Sequence, residues 1–329
     1  MRHLFSKTTL LPMAALAALL CLPTLAELSG YGYLISLSSK ILIYALAAVS
    51  LDLILGYGGM VSLGHAAYLG VGAYVVGILA MHHQEATALL GLPVEIGGSN
   101  SLLVSLPAAV LIASLAACFF GALSLRTSGM HFIMITLAFA QMGYYFFVSL
   151  EAYGGDDGLS LWSRNQLFAV DLAEDTSFYY LCLTILAAFL FFCHRLVHSR
   201  FGRVIRGIRE NEKRMKMLGF ATYRYKLACF TIAGGGAGLA GALLTNHSEF
   251  VSPGLIHWTQ SGELIVMVLL GGMGTLFGPV IGAATLLLLE EILSAYTEHW
   301  MAFLGPFLIL VVLFARRGLY GLMRGKHHE

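Results

Sequence analysis

Apolar segments of about 20 residues recur along the whole 329-residue chain, separated by short polar or glycine-rich stretches. A helix needs about 20 apolar residues to cross the hydrocarbon core of a bilayer. Because 58% of the residues are hydrophobic and only 11% are charged, a water-soluble domain of this size could not hide its apolar surface. We therefore predict an all-α, polytopic membrane protein.

About ten transmembrane or re-entrant helices can be drawn from these segments. Two pairs of segments are separated by glycine-rich breaks, which could equally mark broken or re-entrant helices. The candidate spans are 10–26, 41–57, 61–80, 101–125, 131–150, 178–198, 226–246, 259–276, 277–294 and 299–315. Residues 1–30 contain the first helix, which could pass for a secretory signal but which we interpret as uncleaved. A transmembrane domain then follows over 31–320, with a short tail at 321–329.

The distribution of Lys and Arg predicts the orientation of the chain. With the N-terminus inside, the outer segments contain only two basic residues, Lys40 and Arg164, which leaves 19 − 2 = 17 of the Lys and Arg on the inside. This bias is what the positive-inside rule requires. Ten crossings place both termini in the cytoplasm, and the acidic loop 151–177 then faces outward.

The inner loop 199–225 belongs to the most basic part of the chain, because ten of the 19 Lys and Arg lie between Arg195 and Lys226. On a helical wheel its apolar side chains fall in one arc and its cations in the opposite arc, which predicts a short amphipathic helix. The apolar arc comprises Val204, Ile205, Ile208, Met215 and Leu218. Gly219 suits the left-handed position that ends a helix. Such a helix could lie on anionic membrane lipid or dock into a soluble partner, and the loop alone does not decide between them.

Glycine-rich patterns suggest close helix contacts and a possible duplication. The stretch GGGAGLAG at 234–241 has small residues at four-residue spacing, which brings helix backbones together. GGMVSLG at 58–64 and GGMGTLFG at 271–278 share a local pattern. This similarity is compatible with an internal repeat, or with the general likeness of glycine-rich turns in membrane proteins.

Polar residues inside the spans are candidates for a solute pathway. These residues are Ser62, His65, Tyr68, Thr136 and Gln141. Each could instead make a single hydrogen bond between helices, and a structural role is the simpler interpretation of His65. In the outer loop, Asp156 and Asp157 could receive a soluble protein or cap the following turn.

Other functional classes find little support in the sequence. No GxxxxGK[ST] phosphate loop occurs, so the chain cannot bind ATP in that manner, and we find no catalytic signature that would indicate an enzyme. The acidic residues within the spans lie toward helix ends, which gives mild evidence against an ion-coupled secondary transporter. The filter motifs of known channel classes are missing. We expect no metal or cofactor bound to the chain, and no nucleic acid partner.

Three stretches together resemble a known family. They are LDLILGYGGMVSLGHAAYLGVGAY at 51–74, RTSGMHFIMITLAFAQM at 126–142 with GGDDGL at 154–159, and the region from GRVIRGIRENE through FVSP to VLLGGMGTLFGPVIGA. In this order they are similar to the LivM-type permease of branched-chain amino acid ABC importers, and the similarity spans roughly residues 40–320.

The resemblance implies a bacterial inner-membrane permease subunit that works by alternating access. Its partners would be a LivH-like second permease, two cytoplasmic ATPase subunits that use ATP, and a periplasmic substrate-binding protein. The substrates would be branched-chain or related amino acids, with urea or other small carboxylates and amides as alternatives and an ion-coupled carrier as the less favoured class.

The basic loop would then be the helix that couples the permease to its ATPases. The resemblance assigns this coupling to Arg203, Arg206, Arg209, Glu210, Glu212, Lys213 and Gly219. One departure stands out: within 212–219, where related sequences often have small alanines, this chain has the long cationic side chains of Lys213, Arg214 and Lys216. The individual contacts with the ATPase therefore cannot be transferred residue by residue.

Overall fold

A computed structural model describes most of the chain. The described residues are 19–20, 22–24, 32–85, 97–167, 171–297, 299, 302, 305–307 and 318–323. The predicted spans 10–26 and 299–315 and the tail 321–329 fall for the greater part outside the described residues.

The described residues are almost entirely helical. Helix α1 spans Tyr33–Asp52 and continues as a π-helical turn over Leu53–Tyr57. The next helices are α2 (His65–Gln84), α3 (Leu102–Ser124), α4 (Met130–Val148), α5 (Asp175–His198), α6 (Arg200–Met217), α7 (Thr222–Ser248), α8 (Trp258–Gly271), α9 (Gly278–Tyr296) and α10 (Gly318–Met323). Short 3₁₀ turns lie at Glu151–Tyr153 and Pro253–Ile256. Strands β1 (Leu159–Ser160) and β2 (Phe250–Val251) pair antiparallel, with Leu159 opposite Val251.

Seven helices in the described part of the chain are long and apolar enough to cross a membrane, so the protein is a multi-pass membrane protein. They are α1 with its π-helical turn, α2, α3, α4, α5, α7 and α9. The predicted span 259–276 forms the 14-residue helix α8, which is shorter than a bilayer requires. The count of about ten helices is therefore not confirmed.

Helix α7 forms the centre of the bundle and packs against α1, α2 and α3. Its glycines explain how close these helices approach. A Cβ atom on Gly238 would lie 2.3 Å from the Cβ of Ala113 on α3, and a Cβ on Gly72 of α2 would lie 2.1 Å from the Gly238 carbonyl oxygen. Facing α7, helix α3 presents small residues at four-residue spacing, namely Ala109, Ala113, Ala117 and Gly121. The predicted close packing of the GGGAGLAG stretch is thus confirmed, and it occurs within the chain.

The bundle has two chemically different ends. One end contains the π-helical turn of α1, the end of α5, all of α6 and the start of α7, and we call it the basic end. At the opposite end, the Arg164 guanidinium donates to Asp175 over 2.7 Å, and the backbone N–H of Asn165 donates to the Asn246 side chain over 2.8 Å. These bonds hold the segment 154–167 against the ends of α5 and α7.

Candidate functional site

A groove between α2 and α4 is the first candidate site, and we call it the α2–α4 groove. Its wall is lined mainly by apolar side chains, and the hydroxyls of Tyr68 and Thr136 are its polar side-chain groups. The lining residues are Gly64, Ala67, Tyr68, Val71, Ala116, Phe120, Thr136, Phe139, Ala140, Gly143, Phe147 and Ile256. The cavity holds about 40 Å³. A water needs roughly 10–15 Å³ by this measure, so the groove has room for only a few water molecules.

Two of the five predicted pathway residues line this groove. Tyr68 is buried, and its hydroxyl has no hydrogen-bond partner among the residues that the structure describes. The Thr136 hydroxyl donates to the Ile133 carbonyl over 2.9 Å, so its oxygen can still accept a bond. The groove therefore offers a free phenol and one acceptor within an apolar wall.

His65 and Ser62 lie beside the groove; His65 joins α1 to α2, whereas Ser62 makes a local bond just before α2. His65 is only 1% exposed, and its Nε2 lies 2.9 Å from the Ser50 hydroxyl oxygen. Because the Ser50 O–H donates to the Ala47 carbonyl over 2.7 Å, the imidazole must be the donor in the His65–Ser50 bond. The Ser62 hydroxyl oxygen accepts from the Gly64 N–H over 3.3 Å. Gln141 is half-buried on α4 and is not among the lining residues.

The second candidate site is the basic end, where α6 is broken at Asn211. This residue has φ −158° and ψ 94°, which no α-helix accommodates. Its side-chain oxygen accepts the backbone N–H of Arg214 over 2.9 Å and so caps the short helical segment that follows. The single amphipathic helix predicted over this region is therefore two helical segments, separated at Asn211.

The break changes which apolar residues face the protein. Val204, Ile205 and Ile208, which precede it, are buried against the rest of the protein. Met215 is half-buried, whereas Leu218 is 66% exposed. The helical wheel assumed an unbroken helix through Asn211, so the single apolar arc that it drew does not extend to Leu218.

Gly219 ends the second segment as the sequence predicted. Its φ of +85° lies in the left-handed region. The N–H of Gly219 bonds to the Lys216 carbonyl over 3.0 Å, and the N–H of Phe220 bonds to the Met215 carbonyl over 3.1 Å. This is the paired hydrogen-bond pattern of a Schellman helix end. The exposed segment is thus fixed at both ends.

Arg209 and Asp52 connect α6 to the two glycine-rich breaks, which we define as the first break (58–64) and the second break (272–277). The Arg209 guanidinium donates to the Gly56 carbonyl oxygen, just before the first break. The Asp52 carboxylate accepts from the backbone N–H of Gly274, in the second break, over 2.9 Å. Asp52 is only 2% exposed. We call these two bonds the Arg209–Asp52 connection.

The sequence interpretation missed the contribution of Asp52. Its only signal was a carboxylate inside an apolar span, a few residues before the glycine pair at 58–59. A buried carboxylate needs hydrogen-bond donors, which indicates a partner but does not say where in the chain the partner lies.

The other predicted coupling residues divide into two groups. Arg206 and Glu212 bind within the chain: Arg206 donates to the Val197 carbonyl over 3.1 Å, while Glu212 accepts from Thr222 over 3.2 Å and pairs with Lys216 over 3.0 Å. Lys226 also donates to Glu212. The second group is exposed and makes no side-chain hydrogen bond or ion pair with another described residue; it comprises Arg203, Glu210 and Lys213.

The surroundings of Glu212 favour its charged form. Partial burial acts to raise the pKa of this carboxyl, but the hydrogen bonds from Lys226 and Lys216 outweigh it and hold the pKa below its ordinary value. Glu212 therefore stays ionised at neutral pH and ties the short segment of α6 to the start of α7.

Asp156 and Asp157 lie in an exposed turn at the opposite end of the bundle. Neither carboxylate makes a hydrogen bond with another residue in the described part of the chain. The structure therefore gives no sign that they cap the following turn.

Comparisons with known proteins agree with this architecture. The family model described as branched-chain amino acid transport system / permease component matches residues 33–313. The high-affinity branched-chain amino acid transport system permease protein LivM of Salmonella typhimurium is 26% identical, and the alignment covers 88% of this chain and 70% of that protein. The probable branched-chain amino acid transport permease protein LivM of Methanocaldococcus jannaschii is 25% identical over 84% of this chain and 90% of its own length.

A shorter similarity links the chain to a second kind of permease. The high-affinity branched-chain amino acid transport system permease protein LivH of Escherichia coli is 32% identical over 38% of this chain and 41% of its own length. No solved structure gives a significant match. Because the family model covers most of the chain, including the α2–α4 groove and the Arg209–Asp52 connection, the chain belongs to the family of branched-chain amino acid transport system permease components.

Proposed function

We propose that this chain is the transmembrane permease subunit of an ATP-driven ABC importer that moves branched-chain or related amino acids by alternating access. ATP would be hydrolysed on separate ATPase subunits. The observation that carries the proposal is the bond from Arg209 of α6 to the Gly56 carbonyl, because it joins the most basic surface element to the start of a helix break.

The Arg209–Asp52 connection offers a physical route from α6 to the groove. Movement of α6 would pull on Gly56 through Arg209, and Asp52 would carry the movement to Gly274 in the second break. Helix α2 begins at His65, directly after the first break, and forms one wall of the α2–α4 groove. A shift of this break would therefore move that wall of the groove.

The lining of the groove favours solutes with an aliphatic side chain. Val71, Phe139, Phe147 and Ile256 offer apolar surface, whereas urea or a small carboxylate would leave most of that wall without a favourable contact. With about 40 Å³ of space, the groove is too small for an amino acid in this conformation. Widening is thus a necessary part of the proposed cycle.

The proposed assembly assigns a partner to each exposed surface. The protein would lie in the bacterial inner membrane, with its basic end and both termini on the cytoplasmic side, as the positive-inside rule predicts. The exposed side chains of Arg203, Glu210 and Lys213 would face the two ATPase subunits. Asp156 and Asp157 would face the periplasmic substrate-binding protein. Helix α4 is the least buried of the long helices, and its exposed side would pack against a LivH-like second permease.

The test is transport by the complex purified with its native partners and reconstituted in proteoliposomes. We expect ATP and the binding protein to drive uptake of radiolabelled leucine, isoleucine and valine. The change Tyr68→Phe should raise the half-saturating concentration of the substrate by about tenfold, because it removes one hydrogen bond of about 1.4 kcal/mol. Tyr296→Phe, at the exposed end of α9, is the matched control and should leave this concentration unchanged.

Two outcomes would overturn the proposal. Uptake by the lone chain driven by a sodium or pH gradient would indicate a secondary carrier. Uptake of urea or short carboxylates with no uptake of branched-chain amino acids would keep the importer class but reject the substrate.

A further inference from the structure

A second and larger cavity lies at the basic end, between the end of α5, the first turns of α6 and the second break. Its volume is about 370 Å³, within the range of small-molecule sites. It is lined by Tyr57, His194, Val197, His198, Arg206, Gly274, Thr275, Leu276, Phe277 and Tyr320. We call it the basic cavity. Nothing in the proposed transport function uses it as a binding site.

The polar groups in the basic cavity suit an anion. The Arg206 guanidinium gives one N–H to the Val197 carbonyl, which leaves four N–H groups free to bind a ligand. His198 lies 4.2 Å from His194, ring centre to ring centre, and its Nδ1 donates to the His194 backbone carbonyl over 2.8 Å. The hydroxyls of Tyr57 and Tyr320 have no partner among the described residues. No carboxylate is among the lining residues.

The position of the cavity favours a lipid as the source of that anion. On α5, Phe191 is 64% exposed and Phe192 is 46% exposed, so this side of the helix faces the bilayer. His194 and His198 follow within two turns on the same helix, which places the cavity where phospholipid headgroups meet the end of a span. Basic pockets at this depth between helices bind anionic headgroups.

We propose that the basic cavity binds the phosphate headgroup of an anionic glycerophospholipid, with its acyl chains lying along the Phe191 side of α5. The bound phosphate would contact Arg206 of α6, Tyr57 at the end of the π-helical turn and the second break around Thr275. It would thereby brace the three elements that the Arg209–Asp52 connection joins. The lipid interpretation of the basic loop then applies to Arg206, whereas Lys213 remains free for a protein partner.

Native mass spectrometry of the purified complex provides the test, with dioleoylphosphatidylglycerol as the probe and phosphatidylcholine for comparison. Near a membrane surface each Arg contributes about 1 kcal/mol to anionic lipid binding, which corresponds to about fivefold in affinity. We expect the double variant Arg206→Gln with His198→Gln to lose at least about fivefold in affinity for phosphatidylglycerol. The matched double variant Arg195→Gln with Arg200→Gln removes two exposed cations outside the cavity. It should lower the affinity for phosphatidylglycerol less than about twofold.

Three results would overturn the proposal. Equal losses in both double variants would indicate diffuse attraction to the basic surface and no site. Equal binding of phosphatidylglycerol and phosphatidylcholine would exclude recognition of the charge. Displacement of phosphatidylglycerol by millimolar glycerol 1-phosphate, with retention of the soluble compound, would assign the cavity to a free phosphate ester and not to a lipid. Gel filtration of each variant confirms that a lost signal reflects binding and not unfolding.

Discussion

The Asp52 carboxylate accepts a hydrogen bond of 2.9 Å from the backbone N–H of Gly274, a residue 222 positions further along the chain. This bond fixes the second break against the end of α1 at a site where Asp52 is shielded from solvent. Together with the bond from Arg209 to Gly56, it links the ends of both glycine-rich breaks to one surface helix.

Replacing Asp52 with alanine should weaken transport more than replacing it with asparagine. Alanine leaves the Gly274 N–H without its acceptor, whereas the amide oxygen of an asparagine side chain could still accept the bond. A buried donor that loses its partner costs about 1–3 kcal/mol. We expect Asp52→Ala to lower the unfolding temperature and to reduce ATP-driven uptake about 5- to 150-fold, with Asp52→Asn close to the wild type. Equal effects of the two substitutions would show that the charge of Asp52 matters, and not its hydrogen bond.

Charge reversal of Lys213 and Arg214 should detach the ATPase subunits. Both side chains are exposed, and neither makes a side-chain hydrogen bond or ion pair with another described residue. We expect Lys213→Glu with Arg214→Glu to reduce co-purification of the ATPase at least about tenfold, since like charges across an interface cost several kcal/mol. The unfolding temperature of the permease should not change. Full co-purification would show that these cations contact membrane lipid and not the ATPase.

Acidification should release the short segment of α6 from α7. The pKa of Glu212 is lower in the folded chain than its ordinary value of 4.5. The carboxylate therefore stabilises the fold above pH 4.5, and this contribution is lost as the pH falls through the lower, folded-state pKa.

Amide hydrogen exchange over 212–222, compared between the wild type and Glu212→Gln, measures this effect. We expect up to about fivefold more protection in the wild type at neutral pH, the range of a partly exposed ion pair. The two proteins should converge at strongly acidic pH. A difference in amide protection that persists unchanged at acidic pH would contradict the stabilising role of the ionised Glu212 carboxylate.

The approach of α3 to α7 should tolerate no added side chain at Gly238. A Cβ there would lie 2.3 Å from the Ala113 Cβ, so either helix would have to move. We expect Gly238→Ala to destabilise the protein by about 1–3 kcal/mol, as overpacking does in other cores. Gly262→Ala on α8, where nothing lies within 4 Å of an added Cβ, is the matched control. Equal unfolding temperatures for the two variants would contradict the observed packing.

Local patterns predicted much of this fold. Hydropathy located the long spans because each must be apolar along its own length, and the small-residue spacing at 234–241 predicted the contact of α7 with its neighbours. The helix end at Gly219 could be predicted because the left-handed conformation favours glycine. The short helix α8 could not, since the apolar run continues past Gly272 while the backbone turns there with φ +118°.

The candidate site could be predicted only in part. Composition identified the basic loop, but a helical wheel cannot show that Asn211 breaks it or that Arg209 turns inward to Gly56. Tyr68 and Thr136 were selected as polar residues in spans and do line the groove. His65 and Ser62 carry the same signal but bond to Ser50 and to the Gly64 backbone instead. Whether a polar side chain meets another helix or a cavity depends on contacts between distant parts of the chain.

The most direct test of the account is the number of amino acid molecules taken up per ATP hydrolysed, measured in proteoliposomes for Arg209→Gln. Arg200→Gln is the control, because Arg200 is exposed on the same helix and makes no side-chain hydrogen bond with another described residue. If Arg209 transmits movement from α6 to the breaks, the ratio should fall about 5- to 150-fold while ATP hydrolysis and ATPase association persist. An unchanged ratio in Arg209→Gln would contradict the account.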